Sequence, residues 1–205
     1  MTEYGHIGVV GGGAWGTALA SLARRAGRRV TLWSRDPSIS QAIATKRANP
    51  IYLPGVALGG AVKNVLAIAA GIVEGRGLGA NATAALITRG FAEMARLGLA
   101  MGAELETLTG LSGLGDLELT CHGPLSRNRS LGMAVAKGAS LAQHMAGKRQ
   151  IVEGEATAPA VLARAKRLSI EMPICAAVDA ILHRGAGLDD AIRALLARPL
   201  RREGE

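Results

Sequence analysis

The stretch Ile7-Gly8-Val9-Val10-Gly11-Gly12-Gly13-Ala14-Trp15-Gly16 decides the fold. A short β-branched run ends abruptly in glycines. An Ala- and Leu-rich segment over 14–26 follows and stops at Gly27. The first part reads as a buried strand, the second as a helix with a glycine C-cap. Val30-Thr31-Leu32-Trp33 then reads as a second strand. Strand, helix and strand make one βαβ unit, whose short apolar strands predict a parallel sheet covered by helices.

Gly11, Gly13 and Gly16 satisfy the G-x-G-x-x-G spacing, and they do so between a strand and a helix, the context in which the motif binds a dinucleotide. Gly11 permits the tight turn, Gly13 lets the backbone approach a pyrophosphate, and Gly16 lets the helix pack close on the strand. The helix start at Ala14 offers N–H groups and partial positive charge to the phosphates. The end of the second strand bears on the choice of cofactor. In Ser34-Arg35-Asp36, Arg35 comes first and favours the 2′-phosphate of NADP, while Asp36 leaves the ribose hydroxyl of NAD open.

Beyond Arg35 the pattern changes. Residues 37–47 read as a helix, and 49–55, with Pro50 and Pro54, as a loop. From Gly59 onward almost no strand signal remains; 61–73, 81–101, 127–137, 141–146, 156–168, 174–183 and 189–197 all read as helices. Ser126 and the pair Asp189-Asp190 mark helix starts, and Gly138 marks a stop. The chain thus divides into 1–58, an α/β part built on one Rossmann-type βαβ unit, and 59–205, an all-α part.

Composition narrows the function classes. The 205 residues are 49% hydrophobic but only 2% aromatic, so the core is Ala, Leu, Val and Ile. The net charge of +8 is spread over scattered arginines and lysines with almost no aromatics between them, which argues against nucleic acid. Cys121 and Cys175 lie far apart with no metal-ligand spacing, which predicts two reduced thiols and no metal site. The longest smooth apolar run, 65–73, is short for a bilayer, and no secretory signal opens the chain. A cytoplasmic protein without membrane insertion is expected.

Two stretches in the helical part carry chemistry. Lys63 and Asn64 interrupt an apolar helix, where a lysine must snorkel, pair with an acid or act, for example as a general base. Asp116 sits in the glycine-flanked Gly113-Leu114-Gly115-Asp116-Leu117, where a helix N-cap is the ordinary alternative. Ser126-Arg127-Asn128 would occupy the first turn of a helix, where backbone N–H groups and an Arg side chain can hold a phosphate.

Together with Leu-Pro-Gly at 53–55, Ala-Leu-Ile-Thr-Arg-Gly at 85–90 and Val-Glu-Gly at 152–154, these stretches resemble the bacterial NAD(P)-dependent glycerol-3-phosphate dehydrogenases, in the same order. The resemblance implies an oxidoreductase interconverting sn-glycerol 3-phosphate and dihydroxyacetone phosphate, in glycerophospholipid precursor synthesis. NADP or NAD is the implied cofactor, a small phosphorylated molecule the substrate and a homodimer the assembly. Lys63 matches the general base at the C2 hydroxyl and Asp116 an acid beside it. Asn64 and Thr120 match residues that orient substrate, and Ser126, Arg127 and Asn128 match the phosphate-binding turn. Cofactor contacts fall on Gly11, Gly13, Ala14, Trp15, Gly16, Arg35, Tyr52, Arg127, Ile151 and Glu153.

The resemblance implies that 59–205 is the domain for substrate binding and dimerisation and that 1–58 is a partial dinucleotide-binding domain, a truncated Rossmann unit followed by a gap. After Leu58 the chain passes directly to Gly59, where the family has a long segment with the rest of the sheet and part of the site. Two strands stand where a full dinucleotide-binding domain has about six. Weak or no turnover is expected, and the alternative reading is a non-catalytic, internally deleted remnant that keeps a phosphate-binding helical domain.

Overall fold

The computed structural model describes residues 5–46, 53–146 and 152–198. The chain opens with β1 (His6–Val10), α1 (Ala14–Arg25), β2 (Arg29–Trp33) and α2 (Pro37–Lys46). Helices follow: α3 (Leu53–Gly75), α4 (Ala80–Ala100), α5 (Leu105–Thr109), a π-helical turn (Leu111–Gly115), α6 (Asp116–His122), α7 (Arg127–Ala136) and α8 (Leu141–Met145). The last three are α9 (Glu153–Arg167), α10 (Pro173–His183) and α11 (Leu188–Leu196). The expected α/β start followed by helices is what the chain forms.

Two compact units emerge. One comprises Met1–Gly60 with Gly98–Asp116, the other Ala61–Leu97 with Leu117–Glu205. In the first, β1 and β2 pair in parallel with Ile7 opposite Val30 and Val9 opposite Leu32. Among the described residues this sheet has only these two strands. Alpha helix α1 returns the chain between them and ends in a Schellman motif. The Gly27 N–H bonds the Arg24 carbonyl, and the Arg28 N–H bonds the Ala23 carbonyl. Gly27 takes φ +79°, a left-handed position where a Cβ would be strained.

The second unit is built around α3. Val62, Val65, Leu66, Ala67 and Ile68 are buried, as are Met94 of α4, Leu131 of α7 and Val178 of α10, and the Leu66 side chain lies where a Cβ on Gly90 of α4 would fall. Helix α7 lies backbone against backbone on α3: a Cβ on Gly132 would collide with the Ile68 carbonyl oxygen, and one on Gly71 with that of Arg129. Small residues at such crossings let the axes approach closely, so the packing is set by glycine positions that hydrophobic periodicity does not reveal.

Two expectations need correction. Leu53-Pro54-Gly55 is not loop but the first turn of α3, where a proline loses no helical hydrogen bond. Leu58 and Gly59 are consecutive residues of that continuous helix. The apolar run over 65–73 belongs to a longer element, and Leu58–Gly75 is long and apolar enough by composition to cross a membrane; 72% of it is buried inside the protein, as in a core helix. Helix α5, the π-helical turn and α6 were not foreseen. They are short, and three glycines break their periodicity.

Candidate functional site

The glycine loop has the geometry its sequence implies. Gly11 sits at φ +115° and its N–H bonds the Trp33 carbonyl at 2.8 Å, tying the turn to the end of β2. A Cβ on Gly16 would strike the Gly11 carbonyl oxygen, and Val9 packs just beyond, so α1 presses on the strand where a side chain would hold it off. Gly13 caps α1 in extended conformation with no side-chain cap bond, and no acid occupies the first turn. Space at its Cβ position is open. The N–H groups of the first turn, Ala14 and Trp15 included, are therefore presented without a competing acceptor from the cap, which fits the pyrophosphate half of a dinucleotide.

At the far end of β2, Arg35 and Asp36 are both exposed. Asp36 accepts the Ser38 N–H at 2.8 Å, and its bonds with Ser38 hold its carboxyl below the usual range. Its carboxylate is occupied at the start of α2. Tyr52 and Ile151 lie outside the described residues.

The second unit gathers another set. Lys63 and Asn64 stand on α3 between the fully buried Val62 and Val65; Lys63 is half-buried and Asn64 buried. The Asn64 Nδ2 donates to Glu153 Oε2 at 3.0 Å, at the start of α9. The next N–H, that of Gly154, donates to Asn128 Oδ1 at 2.9 Å, at the start of α7. A Cβ on Gly154 would lie 2.5 Å from the Asn64 carbonyl oxygen and 2.8 Å from Asn128 Oδ1. The glycine of Val152-Glu153-Gly154 is thus required by close approach, and this polar clamp brings α3, the start of α7 and the Glu153 segment together.

Within the Ser126-Arg127-Asn128 turn the side chains have separate tasks. The Ser126 hydroxyl accepts the Arg129 N–H at 3.3 Å and caps α7. Arg129 forms a bidentate pair with Glu74, its Nε 2.7 Å from Oε2. Arg127, at the first helical position, is exposed. The turn therefore presents a guanidinium and helix N-terminal N–H groups to solvent, a combination suited to a phosphate. Asp116, the last residue of the first unit, opens α6 directly after the π-helical turn, and Thr120 follows four residues on in the same helix; both are half-buried.

Sequence reasoning missed three members of this framework. Glu74 anchors Arg129, and Gly154 permits the α3–α9 contact. Glu93, only 1% exposed, reaches from α4 to bond the N–H groups of Ile174 and Cys175. Glu93 had a signal, a lone acid within an apolar helix. The two cysteines are free and buried, as expected of reduced thiols, and burial pushes the Cys121 thiol up to about 12.

A glycine loop of dinucleotide-binding spacing on a βαβ unit and, in the second unit, a lysine helix clamped to the Ser126-Arg127-Asn128 turn are features of a dinucleotide-dependent oxidoreductase class. Residues 6–97 match the family described as NAD-dependent glycerol-3-phosphate dehydrogenase N-terminus, and residues 53–193 match its C-terminus. The chain belongs to the NAD-dependent glycerol-3-phosphate dehydrogenase family. It is 52% identical over 189 residues to glycerol-3-phosphate dehydrogenase [NAD(P)+] of Caulobacter vibrioides, covering 89% of this chain but 57% of the relative. With the Maricaulis maris enzyme of the same name it is 38% identical over 327 residues, covering 97% of this chain and 98% of the relative. An alignment that long against 205 residues passes over an extended internal stretch that the relative has and this chain lacks. The solved glycerol-3-phosphate dehydrogenase of Coxiella burnetii superposes with TM-score 0.71 at 40% identity, over 89% of this chain and 52% of that one. The chain thus spans little more than half the length of several relatives.

Proposed function

We propose that this chain interconverts sn-glycerol 3-phosphate and dihydroxyacetone phosphate with NAD(P)H, in the supply of glycerophospholipid precursors in the cytoplasm. The observation that carries the reading is the clamp Asn64–Glu153 and Asn128–Gly154, which seats the lysine helix against the phosphate turn. The nicotinamide, when bound, supplies or accepts the hydride at C2 of the substrate. Everything else falls to the chain. Lys63 moves the proton at the C2 oxygen: it donates during ketone reduction and accepts during alcohol oxidation. Arg127 and the N–H groups opening α7 hold the phosphate, and the clamped Asn64 with Thr120 orients the carbon chain. Asp116 is the acid that the family resemblance assigns to the same chemistry. Asn128 and Ser126 act chiefly by shaping the turn, since both side chains already bond backbone.

The glycine loop holds the pyrophosphate of the cofactor. With Asp36 engaged by Ser38 and Arg35 exposed beside it, the 2′-phosphate of NADP is the better match. The helical unit supplies a homodimer contact, and neither nucleic acid nor membrane insertion enters this reading.

The test is NADPH oxidation driven by dihydroxyacetone phosphate, measured on the purified chain and on Lys63→Ala. A dihydroxyacetone-phosphate-dependent rate that falls at least about a hundredfold in the variant supports the proposal. A rate equal in the two proteins, or none in either, overturns it. Replacing NADPH by NADH in the same assay tests the Arg35 reading, which fails if NADH serves better.

A further inference from the structure

One side of β1 is covered by β2 and the other is open. Strand β1 pairs with β2 through alternate residues. The Gly5 carbonyl accepts the Arg29 N–H at 3.1 Å, and the Gly11 N–H donates to the Trp33 carbonyl at 2.8 Å, so odd-numbered residues turn their backbone groups toward β2. By strand geometry the N–H and C=O groups of His6, Gly8 and Val10 then point the other way. Among the described residues no strand pairs with that edge. Beside it runs an apolar groove of about 620 Å³, lined by Ile7 and Val9 of β1 and Leu19, Leu22 and Ala23 of α1. Leu19 and Leu22 are 53% and 65% exposed. Unpaired edges flanked by exposed leucines are the surfaces on which chains add strands to one another.

We propose that a second copy of this chain covers this edge, β1 against β1, antiparallel, with Gly8 on the two-fold axis. The edge is complementary to itself in one register above others. With Gly8 opposite Gly8, His6 faces Val10 of the other copy at both ends, and the three outward residues of each strand exchange six backbone hydrogen bonds. A two-fold axis normal to the sheet leaves both α1 helices on the same face. Ile7 then lies beside Val9 of the second copy, and the two leucine-lined grooves join. The result is a four-stranded sheet in the order β2-β1-β1-β2. Arg28, at the groove rim, falls at opposite ends of the ladder in the two copies, so like charges are not brought together. A five-residue edge with one helix flank belongs with interfaces below roughly 1,200 Å², so the pairing is reversible and concentration-dependent.

The register gives the test. In a hydrogen-bonded antiparallel pair the facing Cα atoms are about 5.5 Å apart, within the span of a disulfide. Two Val10 residues would be separated by about 13 Å along the strands and cannot be bridged. Space around the Gly8 Cβ position is open, so Gly8→Cys leaves the fold intact. Mild oxidation of the full chain at high micromolar concentration is expected to convert most Gly8→Cys protein to a covalent dimer. Val10→Cys, at a residue 84% exposed, stays largely uncrosslinked. The native Cys121 and Cys175 are buried and do not compete. In sedimentation equilibrium, Leu22→Glu is expected to weaken the association of the unoxidised chain that goes beyond a dimer formed through the helical unit. Crosslinking of Gly8→Cys no greater than that of Val10→Cys would overturn the proposal, as would association unchanged in Leu22→Glu. Because crosslinking reads this edge alone, a dimer formed through the helical unit does not mimic it.

Discussion

Glu93 offers the sharpest test of the packing in the helical unit. Its carboxylate, 1% exposed, receives the Ile174 N–H at 2.6 Å on Oε1 and the Cys175 N–H at 3.3 Å on Oε2. It caps the first turn of α10, whose own N-cap, Met172, makes no side-chain cap bond. Burial pushes the Glu93 carboxyl up from 4.5 to about 7, against the opposing pull of the two backbone bonds and of the Arg96 charge. The folded protein therefore holds a proton that the unfolded chain has already released between pH 4.5 and 7. Stability from this group is greatest at the acid end of that window and declines as pH rises, levelling off above pH 7. At about 1.4 kcal/mol per unit, the difference of the two values corresponds to about 3 kcal/mol. The perturbation is Glu93→Gln, which keeps an acceptor for α10 and removes the titration. Urea unfolding followed by circular dichroism at several pH values between 4.5 and 8 gives both stability curves. The wild-type curve, with that of Glu93→Gln subtracted, is expected to fall by about 3 kcal/mol across the window. Parallel curves would refute the reasoning, because they would mean that Glu93 titrates alike in the folded and unfolded chain.

Three further outcomes follow from local geometry. Gly154→Ala drives a Cβ against the Asn64 carbonyl and Asn128, so it is expected to cost about 2–3 kcal/mol in chemical denaturation; a loss below about 0.5 kcal/mol would contradict the α3–α9 clamp. Ser169 takes φ 56° at the end of α9, in the left-handed region, and its side chain is exposed. Ser169→Gly is expected to relieve that strain by about 0.5–1 kcal/mol and raise the Tm by a few degrees, whereas an unchanged or lower Tm would speak against it. Cys121 and Cys175, both buried with thiols pushed upward, are expected to resist a thiol reagent at pH 8 until the chain is unfolded; prompt labelling of either in native protein would contradict their burial.

Much of this molecule was legible from local pattern. The β-branched run, the glycine spacing and the alanine-rich segment specify strand, loop and helix through backbone preference and burial alone, and β1, α1 and β2 lie within a residue of where those signals put them. Ser126 and Gly138 marked the ends of α7, because capping is a contest over local hydrogen bonds. The helical content after Gly59 was equally plain, apart from the short α5, the π-helical turn and α6.

What only the tertiary structure decided is the use of each polar group. Sequence nominated Asn64, Asn128 and Glu153 as ligand contacts, yet the fold bonds Asn64 to Glu153 and Asn128 to Gly154 across separate helices. Gly71, Gly132 and Gly154 carry no pattern that predicts which backbone will press on them; that depends on helix crossings between residues distant in the chain. Glu93 and Asp36 were equally indeterminate, because a carboxylate accepts whatever donor the packing delivers. The dinucleotide loop was written in ten consecutive residues. The clamp around Lys63, and the uncovered edge of β1, exist because hydrogen bonds and sheet pairing are settled by neighbours in space, including neighbours this shortened chain does not supply.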